Sequence, residues 1–163
     1  MKRVLSIQDI SCIGKCSLTV ALPIISAMGI ETSILPTSIL STHTMFNDFT
    51  FRDLTDDMEP IKKHWQKEGF SFDAIYTGYL GSEKQITLVK DYFKTFGNTC
   101  KYIIVDPAMA DNGKLYSGFD KDFPLKMAKL CKYADVILPN ISEAAFMTGM
   151  PYPGENASNE CIK

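Results

Sequence analysis

Short apolar runs alternate with longer amphipathic segments along most of the chain. The apolar runs are rich in Val, Ile, Leu and Tyr and have the length of buried strands, whereas the longer segments repeat their apolar positions with helical spacing. Strands are predicted at residues 4–8, 32–36, 73–77, 102–105 and 136–138, with a further short one at 38–40.

Capping residues and glycines mark the ends of the helical segments. Ser82 and Asn140 stand where N-caps are expected, and Gly29 and Gly69 follow apolar-periodic segments. Pro23 lies inside the first of these segments and predicts a kink. Helices are predicted at 15–28, 54–68, 82–96, 122–131 and 140–149, whereas 41–52 has no clear pattern and 106–118 and the start of 151–163 are typical of loops.

This alternation of strands and helices predicts an α/β fold with a mainly parallel sheet and right-handed crossovers. No repeat, low-complexity tract or linker divides residues 1–163, so a single domain is predicted. Ligands of open parallel sheets bind at the carboxyl ends of the strands. Candidate chemistry is therefore sought in the residues that follow each strand.

Charge and hydropathy argue against two classes of partner. The chain has 17 Lys and Arg and 19 Asp and Glu residues, a net charge of −2, which gives no general attraction to nucleic acid or to an anionic membrane. No apolar stretch approaches the roughly 18 residues of a membrane-spanning helix. The N-terminal apolar run is interrupted at Gln8 and Asp9, which favours a first strand over a signal peptide.

Five cysteines are widely spaced, and none forms a Cys-x-x-Cys pair. This pattern predicts reduced thiols in a cytoplasmic protein. Cys12 and Cys16 could join His43 or His64 at a metal, but nothing in their spacing supports that, and we interpret them as small buried hydrophobic residues.

The stretch SIQDISCIGKCS at 6–17 contains Gly14-Lys15 and invites comparison with a phosphate-binding Walker loop. A Walker loop needs a glycine five residues before Gly14, where Asp9 stands, and a hydroxyl after Lys15, where Cys16 stands. One glycine is too few to turn several N–H groups toward a phosphate. We therefore reject a Walker loop here.

Polar residues follow the predicted strands, and each has a structural and a functional interpretation. Asp9 could stabilise a turn or hydrogen-bond a small polar substrate. Asp106, extended before Pro107, could end its strand or anchor magnesium near nucleotide phosphates. Asn140 and Glu143 have the spacing of a capping box, which is compatible with a metal-facing glutamate.

The turn GYLGS at 78–82 could be a simple strand-to-helix connection with Ser82 as N-cap, or it could pack the Tyr79 ring on a flat ligand. Together these motifs resemble the pyridoxal/pyridoxamine kinase family of the ribokinase-like superfamily, and most of all its bacterial pyridoxamine kinases. The motifs that carry the resemblance, over residues 2 to about 150, are IQD (7–9) with Gly14, STHT (41–44), TGYLGS (77–82), DPAM (106–109) with Gly113, and LPNISE (138–143).

The resemblance implies a ribokinase-like three-layer sandwich and a vitamer site. Asp9, Thr44, Met45 and Tyr79 match the positions that meet the pyridine substrate in this family. Asp9 departs from the serine that the family often has there, and the sequence at 45–48 departs from the family's glycine-rich form. The contact at Asp9 and the shape of the substrate rim are therefore open.

The resemblance also implies an ATP site with magnesium and, in some members, a monovalent cation. The family residues that face the ATP phosphates are matched here by Asp106, Asn140 and Glu143. Two of these, Asp106 and Glu143, match residues that contact the magnesium through water. Leu138 matches a position beside the nucleotide.

One motif of the family is missing from this chain. The Gly-x-Gly-Asp motif, which holds the transferred phosphate and supplies the catalytic aspartate base, does not occur in residues 1–163. The resemblance therefore implies that the chain corresponds to the N-terminal, incomplete part of a kinase domain. It also implies that this chain has no catalytic base of its own and that the family's base is to be expected beyond Lys163.

Three hypotheses follow. The first is an ATP-dependent kinase of the 5′-hydroxymethyl group of pyridoxal, pyridoxamine or pyridoxine, with the activity of this chain alone doubtful. The second is a hydroxymethylpyrimidine kinase of thiamin synthesis, whose substrate is also a flat heteroaromatic ring. The third is a non-catalytic chain that binds a vitamer or associates with itself. The resemblance also implies a homodimer, because members of this family are commonly dimers.

Overall fold

The computed structural model describes residues 1–154, which fold into an α/β domain. The carboxyl end of each strand is followed by a loop and usually by a helix, as the hydropathy pattern predicts. The strands are β1 (Arg3–Ser11), β2 (Glu31–Leu40), β3 (Phe51–Asp53), β4 (Ala74–Thr77), β5 (Tyr102–Val105), β6 (Ala110–Asp111), β7 (Lys114–Leu115) and β8 (Val136–Ile137). The helices are α1 (Leu18–Ala27), α2 (Thr55–Lys67), α3 (Glu83–Phe96), α4 (Phe123–Cys131) and α5 (Ile141–Thr148), with a 3₁₀ turn at Gly97–Thr99.

Six strands form the central sheet in the order β3-β2-β1-β4-β5-β8. All neighbours pair in parallel except β2 and β3. The predicted mainly parallel sheet is therefore confirmed. From β1 the chain moves to β2 on one side, whereas from β4 it moves to β5 and β8 on the other, so the strand order reverses between β1 and β4. Such a reversal opens a crevice at the carboxyl ends of the two central strands.

Helices cover both faces of this sheet, which confirms the predicted three layers. Right-handed connections place α1 and α3 on opposite faces, because β1–α1–β2 and β4–α3–β5 progress in opposite directions. Helices α2 to α5 pack in sequence along one face, and α1 packs on β1 and β2 on the other. The main core lies under α2, α3 and α4. Its fully buried members include Leu5, Ile7, Leu35, Met58, Ile75, Val89, Tyr92 and Met127.

Two predicted boundaries are wrong. Residues 32–36 and 38–40 form one continuous strand, β2, which Pro36 does not interrupt. Strand β3 pairs only with residues 38–40, so the edge of β2 beside Pro36 is free. The N–H group that proline lacks therefore costs no hydrogen bond between strands there. Helix α1 begins at Leu18 rather than at residue 15, because Ser17 has φ of 49°, which a helix does not accept. The kink at Pro23 stays a prediction.

Two segments without predicted structure contain short strands. Residues 41–52 lead into β3, and the loop predicted at 106–118 contains the hairpin β6–β7. Asn112 and Gly113 connect the two hairpin strands with φ of 49° and 71°, the positive values that a two-residue type I′ turn requires.

Residues 155–163 lie outside the described residues. Of the segment 151–163, whose start is predicted to be a loop, only the part up to Gly154 is described. The catalytic base that the family resemblance places beyond Lys163 stays a prediction.

The cysteine prediction is partly wrong. Cys12, Cys16, Cys100 and Cys131 are free thiols, whereas Cys161 lies outside the described residues. Cys12 is exposed and Cys16 is only half-buried, because both stand in the loop between β1 and α1. Among residues 1–154, no helix is long and apolar enough to cross a membrane.

Candidate functional site

A cavity of about 360 Å³ opens at the carboxyl ends of β1, β2 and β4, beside the reversal in strand order. Asp9, Thr44, Met45 and Tyr79, the four residues predicted to meet the substrate, all line it. The structure thus brings together side chains from three separate segments. The cavity is also lined by residues that sequence reasoning did not assign to a ligand: Ser11, Lys15, Cys16, Ser17, Leu40, His43, Ala108, Tyr116 and Ser117.

Asp9 lies deepest of the predicted residues and is only 5% exposed. Its Oδ1 is buried and has no hydrogen-bond partner among the described residues, and the same holds for Oγ of Ser11, which is 1% exposed. Burial raises the pKa of the Asp9 carboxyl, and the nearby hydroxyls of Ser17 and Ser11 offset this only in part. Asp9 and Ser11 therefore line the cavity, and each has a buried oxygen without a hydrogen-bond partner among the described residues. Ser11 was missed because β1 extends three residues beyond its predicted end.

The turn that carries Tyr79 is held by a buried hydrogen-bond network. Thr37 donates from Oγ1 to the Tyr79 carbonyl over 3.2 Å. Gln85 accepts from the Gly81 N–H over 2.8 Å and donates to the Thr37 carbonyl over 3.0 Å. Ser82 accepts from the Gln85 N–H, which confirms its predicted role as N-cap of α3. The backbone that carries Tyr79 is therefore held in place at one wall of the cavity. Burial is the main cause that raises the pKa of the Tyr79 hydroxyl, and the charge of Asp9 adds to the rise.

The opposite wall is the loop at residues 41–46, which packs on the glycine turn after β1. Gly14 has φ of 120°, and a Cβ at this position would overlap the His43 ring. The His43 N–H donates to the Ile13 carbonyl over 3.3 Å, and its ring packs against Phe46 with centroids 4.9 Å apart. Thr44 is exposed, and Met45 is 88% exposed, so both stand at the rim. Gly14 thus allows the two loops to meet.

Asp106 lies in an adjoining cavity of about 490 Å³ that shares Tyr79 and Lys15 with the first. Burial raises the pKa of the Asp106 carboxyl to about 6. Among residues 1–154, its carboxylate takes part in no ion pair. Asp106 is thus free to meet a cation or a hydrated ion from this second cavity.

Asn140 and Glu143 form a complete capping box at the start of α5, as their spacing predicts. Glu143 accepts from the Asn140 N–H over 2.8 Å and from the Met109 N–H over 3.2 Å. Burial raises the Glu143 pKa to about 7, and the charge of Asp106 adds to the rise. Leu138 is 50% exposed and, like Asn140 and Glu143, lines neither cavity. The predicted nucleotide residues are therefore only partly brought together.

The described residues offer few side chains that could ligate a metal ion directly. Residues 1–154 contain no group of three or more His, Cys, Asp or Glu side chains arranged to hold a metal. Both Glu143 oxygens accept backbone hydrogen bonds, so this side chain can support a hydrated ion only indirectly, by holding the backbone beside it. The Asp106 carboxylate is suited to hold the water shell of Mg²⁺, which keeps several of its waters when it is bound beside phosphates.

Comparison with known proteins decides the family. The profile described as phosphomethylpyrimidine kinase matches residues 31–163 of the chain. The chain belongs to this family. Pyridoxal kinase PdxY of Actinobacillus pleuropneumoniae, a relative, is 27% identical over 172 residues, which cover all of this chain and 59% of the relative. The predicted resemblance to pyridoxal kinases is confirmed.

Solved structures of phosphomethylpyrimidine kinase family relatives share the fold. A Bacteroides thetaiotaomicron protein with the provisional name phosphomethylpyrimidine kinase, crystallised with pyridoxal, is 43% identical with a TM-score of 0.93, over 99% of this chain and 56% of that one. Pyridoxal kinase from Lactobacillus plantarum is 38% identical with a TM-score of 0.87, over 93% of this chain and 54% of that one. The chain thus spans little more than half the length of its relatives.

Proposed function

We propose that the chain carries the vitamer-binding side of an ATP-dependent kinase that phosphorylates the 5′-hydroxymethyl group of pyridoxal, pyridoxamine or pyridoxine. The observation that carries this proposal is the cavity in which Asp9, Thr44, Met45 and Tyr79 come together. Its similarity at 43% identity to a protein crystallised with pyridoxal supports the choice of ligand.

Each cavity residue has a role that its position supports. The half-buried Tyr79 ring packs against one side of the flat pyridine, as aromatic walls do for flat ligands. Asp9 binds a polar group at the deep end, whereas Thr44 and Met45 close the exposed rim over the ligand. The vitamer is thereby oriented with its hydroxymethyl arm toward the second cavity, where Asp106 lies.

The second cavity and the loop beside it serve the phosphate end of ATP. Asp106 holds the waters of Mg²⁺, which neutralises phosphate charge when it is bound. Glu143 positions the Met109 and Asn140 backbone beside it, and Leu138 lies against the nucleotide through its backbone. No residue of this chain is assigned as the base that takes the hydroxyl proton, because the Gly-x-Gly-Asp motif does not occur in residues 1–163. An aspartate beyond Lys163 is proposed for that role on the family resemblance alone.

Calorimetric titration of the 163-residue chain with pyridoxal, pyridoxamine and pyridoxine tests the vitamer site. We expect saturable binding that Tyr79→Ala weakens by about tenfold or more, since a lost aromatic wall costs about 1.4 kcal/mol or more. Tyr133→Ala, on an exposed ring remote from the cavities, is the matched control. Absence of saturable binding for all three vitamers would contradict the proposal. ATP turnover measured on the same sample tests the expectation that this chain alone does not transfer phosphate.

A second candidate function is phosphorylation of a hydroxymethylpyrimidine. It is favoured by the family description, phosphomethylpyrimidine kinase, and by the provisional name of the Bacteroides relative. The two substrates share a flat ring and a hydroxymethyl arm, so the cavity walls suit both. Competition between the pyrimidine and pyridoxal decides: if the pyrimidine binds more tightly, the first candidate is displaced.

A cytoplasmic homodimer with no nucleic-acid or membrane partner completes the proposal. The free thiols of Cys12, Cys16, Cys100 and Cys131 support a reducing compartment. The dimer rests on the family resemblance alone. Light scattering over a range of protein concentrations tests it, and a mass of one chain at all concentrations would contradict it.

A further inference from the structure

The deep end of the first cavity contains a carboxylate without a counter-ion. Asp9 is 5% exposed and its Oδ1 has no hydrogen-bond partner among residues 1–154. No ion pair between described residues includes Asp9, although Lys15 lines the same cavity. The polar groups beside it are the hydroxyls of Ser11 and Ser17.

An unpaired buried carboxylate is costly in the folded protein. Burying an ionised group without a partner costs several kcal/mol, which a cation or strong donor on a ligand can offset. The raised pKa of Asp9 reflects this cost, and the charge of Asp9 also raises the pKa of Tyr79 across the cavity. A ligand that brings a positively charged N–H to Asp9 therefore gains more than a neutral ligand of the same shape.

We propose that Asp9 makes this cavity select vitamers that present a positively charged N–H group at its deep end. The inference rests on the proposed function and deepens it, because it names the charge state that the site prefers. A neutral side chain at this position, such as serine, could not make this distinction. The selecting residue is therefore a specificity determinant rather than a catalytic group.

Two nitrogens of B6 vitamers can supply the charge. One is the protonated ring nitrogen, which all three vitamers share, and the other is the 4′-ammonium group, which only pyridoxamine carries. Both would donate a charge-assisted hydrogen bond to the carboxylate, a type roughly twice as strong as a neutral one. The choice between them is left to the experiment, since the same Asp9 chemistry serves either.

The test measures dissociation constants without ATP for pyridoxal, pyridoxamine, pyridoxine and a phenol analogue in which carbon replaces the ring nitrogen. Wild type is compared with Asp9→Asn and Asp9→Ser, and with Asp57→Asn as an exposed control of the same chemistry. If the ring nitrogen is the partner, Asp9→Asn weakens all three vitamers by about tenfold or more and leaves the analogue unchanged. If the ammonium is the partner, only pyridoxamine is weakened to that degree.

Either pattern supports the proposal. Affinities that stay within about twofold of wild type for every vitamer in Asp9→Asn would overturn it. Thermal unfolding separates selection from a structural role, because removing an unpaired buried charge should leave the melting temperature equal or higher. A lower melting temperature together with equal losses for all four ligands would identify Asp9 as structural and also overturn the proposal. Failure of wild type to bind any vitamer would instead contradict the proposed function itself.

Discussion

The Glu143 side chain accepts a hydrogen bond from the Met109 N–H, with 3.2 Å between Oε1 and N. Its other oxygen accepts from the Asn140 N–H over 2.8 Å, and Asn140 in turn donates from Nδ2 to the Ala110 carbonyl over 2.8 Å. The start of α5 is thereby joined to the loop that follows Asp106. One buried glutamate thus does two things: it caps a helix and it fixes the backbone beside the candidate phosphate site.

Glu143→Ala should lower the free energy of unfolding by about 2 kcal/mol, because it leaves the Met109 and Asn140 N–H groups without their partner. Glu143→Gln keeps one acceptor oxygen and should cost about half as much. Urea unfolding followed by circular dichroism measures both. Glu68→Ala, at an exposed position on the end of α2, is the control. Equal stability of the Glu143→Ala and Glu68→Ala variants would contradict this account.

Gly14→Ala should disrupt the wall of the first cavity as well as the backbone. The positive φ of 120° strains any side chain at this position, and a Cβ would overlap the His43 ring. We expect a loss of about 1–2 kcal/mol in the free energy of unfolding and weaker vitamer binding, because the loop at 41–46 must move. Chemical unfolding and calorimetric titration measure the two effects.

Gly29→Ala separates backbone strain from overlap. Gly29 also has a positive φ, of 78°, but nothing lies within 4 Å of the position of its Cβ. Its replacement should cost stability and leave vitamer affinity unchanged. The double variant Gly14→Ala/His43→Ala should recover part of the lost affinity if the overlap is the cause. The account fails if Gly29→Ala weakens vitamer binding as much as Gly14→Ala does.

Much of the fold could be predicted from the chain, because the strands are apolar and their ends are marked by local residues. Ser82 and Asn140 start helices through hydrogen bonds to backbone three residues away, which a local pattern can indicate. The strand order depends on long-range pairing and has no local mark. The hairpin β6–β7 was missed because each of its strands has only two residues, too few for a periodic pattern.

The candidate site was predictable only as far as the family motifs reach. Asp9, Thr44, Met45 and Tyr79 were named from the resemblance, and they do line one cavity. Ser11 and Tyr116 were not, because their places depend on how far β1 extends and on how the loop after Asp106 folds back. Glu143 is buried and lines neither cavity, and its contact with the Met109 N–H is one that sequence spacing cannot show.

Asp106→Asn should change how stability depends on pH. Burial raises the pKa of Asp106 from the ordinary 3.8 to about 6, so the folded state holds this proton more tightly than the unfolded state. The stability that this group contributes is therefore present at low pH and is lost as the pH rises through about 6. As the pH rises from 3.8 to about 6, the unfolding free energy of wild type should therefore fall more than that of the variant, whose amide does not titrate. The difference should be on the order of 1–2 kcal/mol. Urea unfolding at a series of pH values measures this, and parallel curves for the two proteins would contradict it.

Tyr92→Phe should destabilise the core without affecting the site. Tyr92 is fully buried, and its hydroxyl donates to the Met58 carbonyl in α2 over 2.6 Å. Removing the hydroxyl takes away this hydrogen bond inside the core and should lower the free energy of unfolding by about 1 kcal/mol. Tyr133→Phe, on a ring that is 48% exposed, should cost almost nothing. Because neither tyrosine lines the first or the second cavity, vitamer affinity should stay at the wild-type value in both variants, measured by the same titration. A Tyr92→Phe protein that is as stable as Tyr133→Phe would show that this hydrogen bond does not help hold α2 to α3.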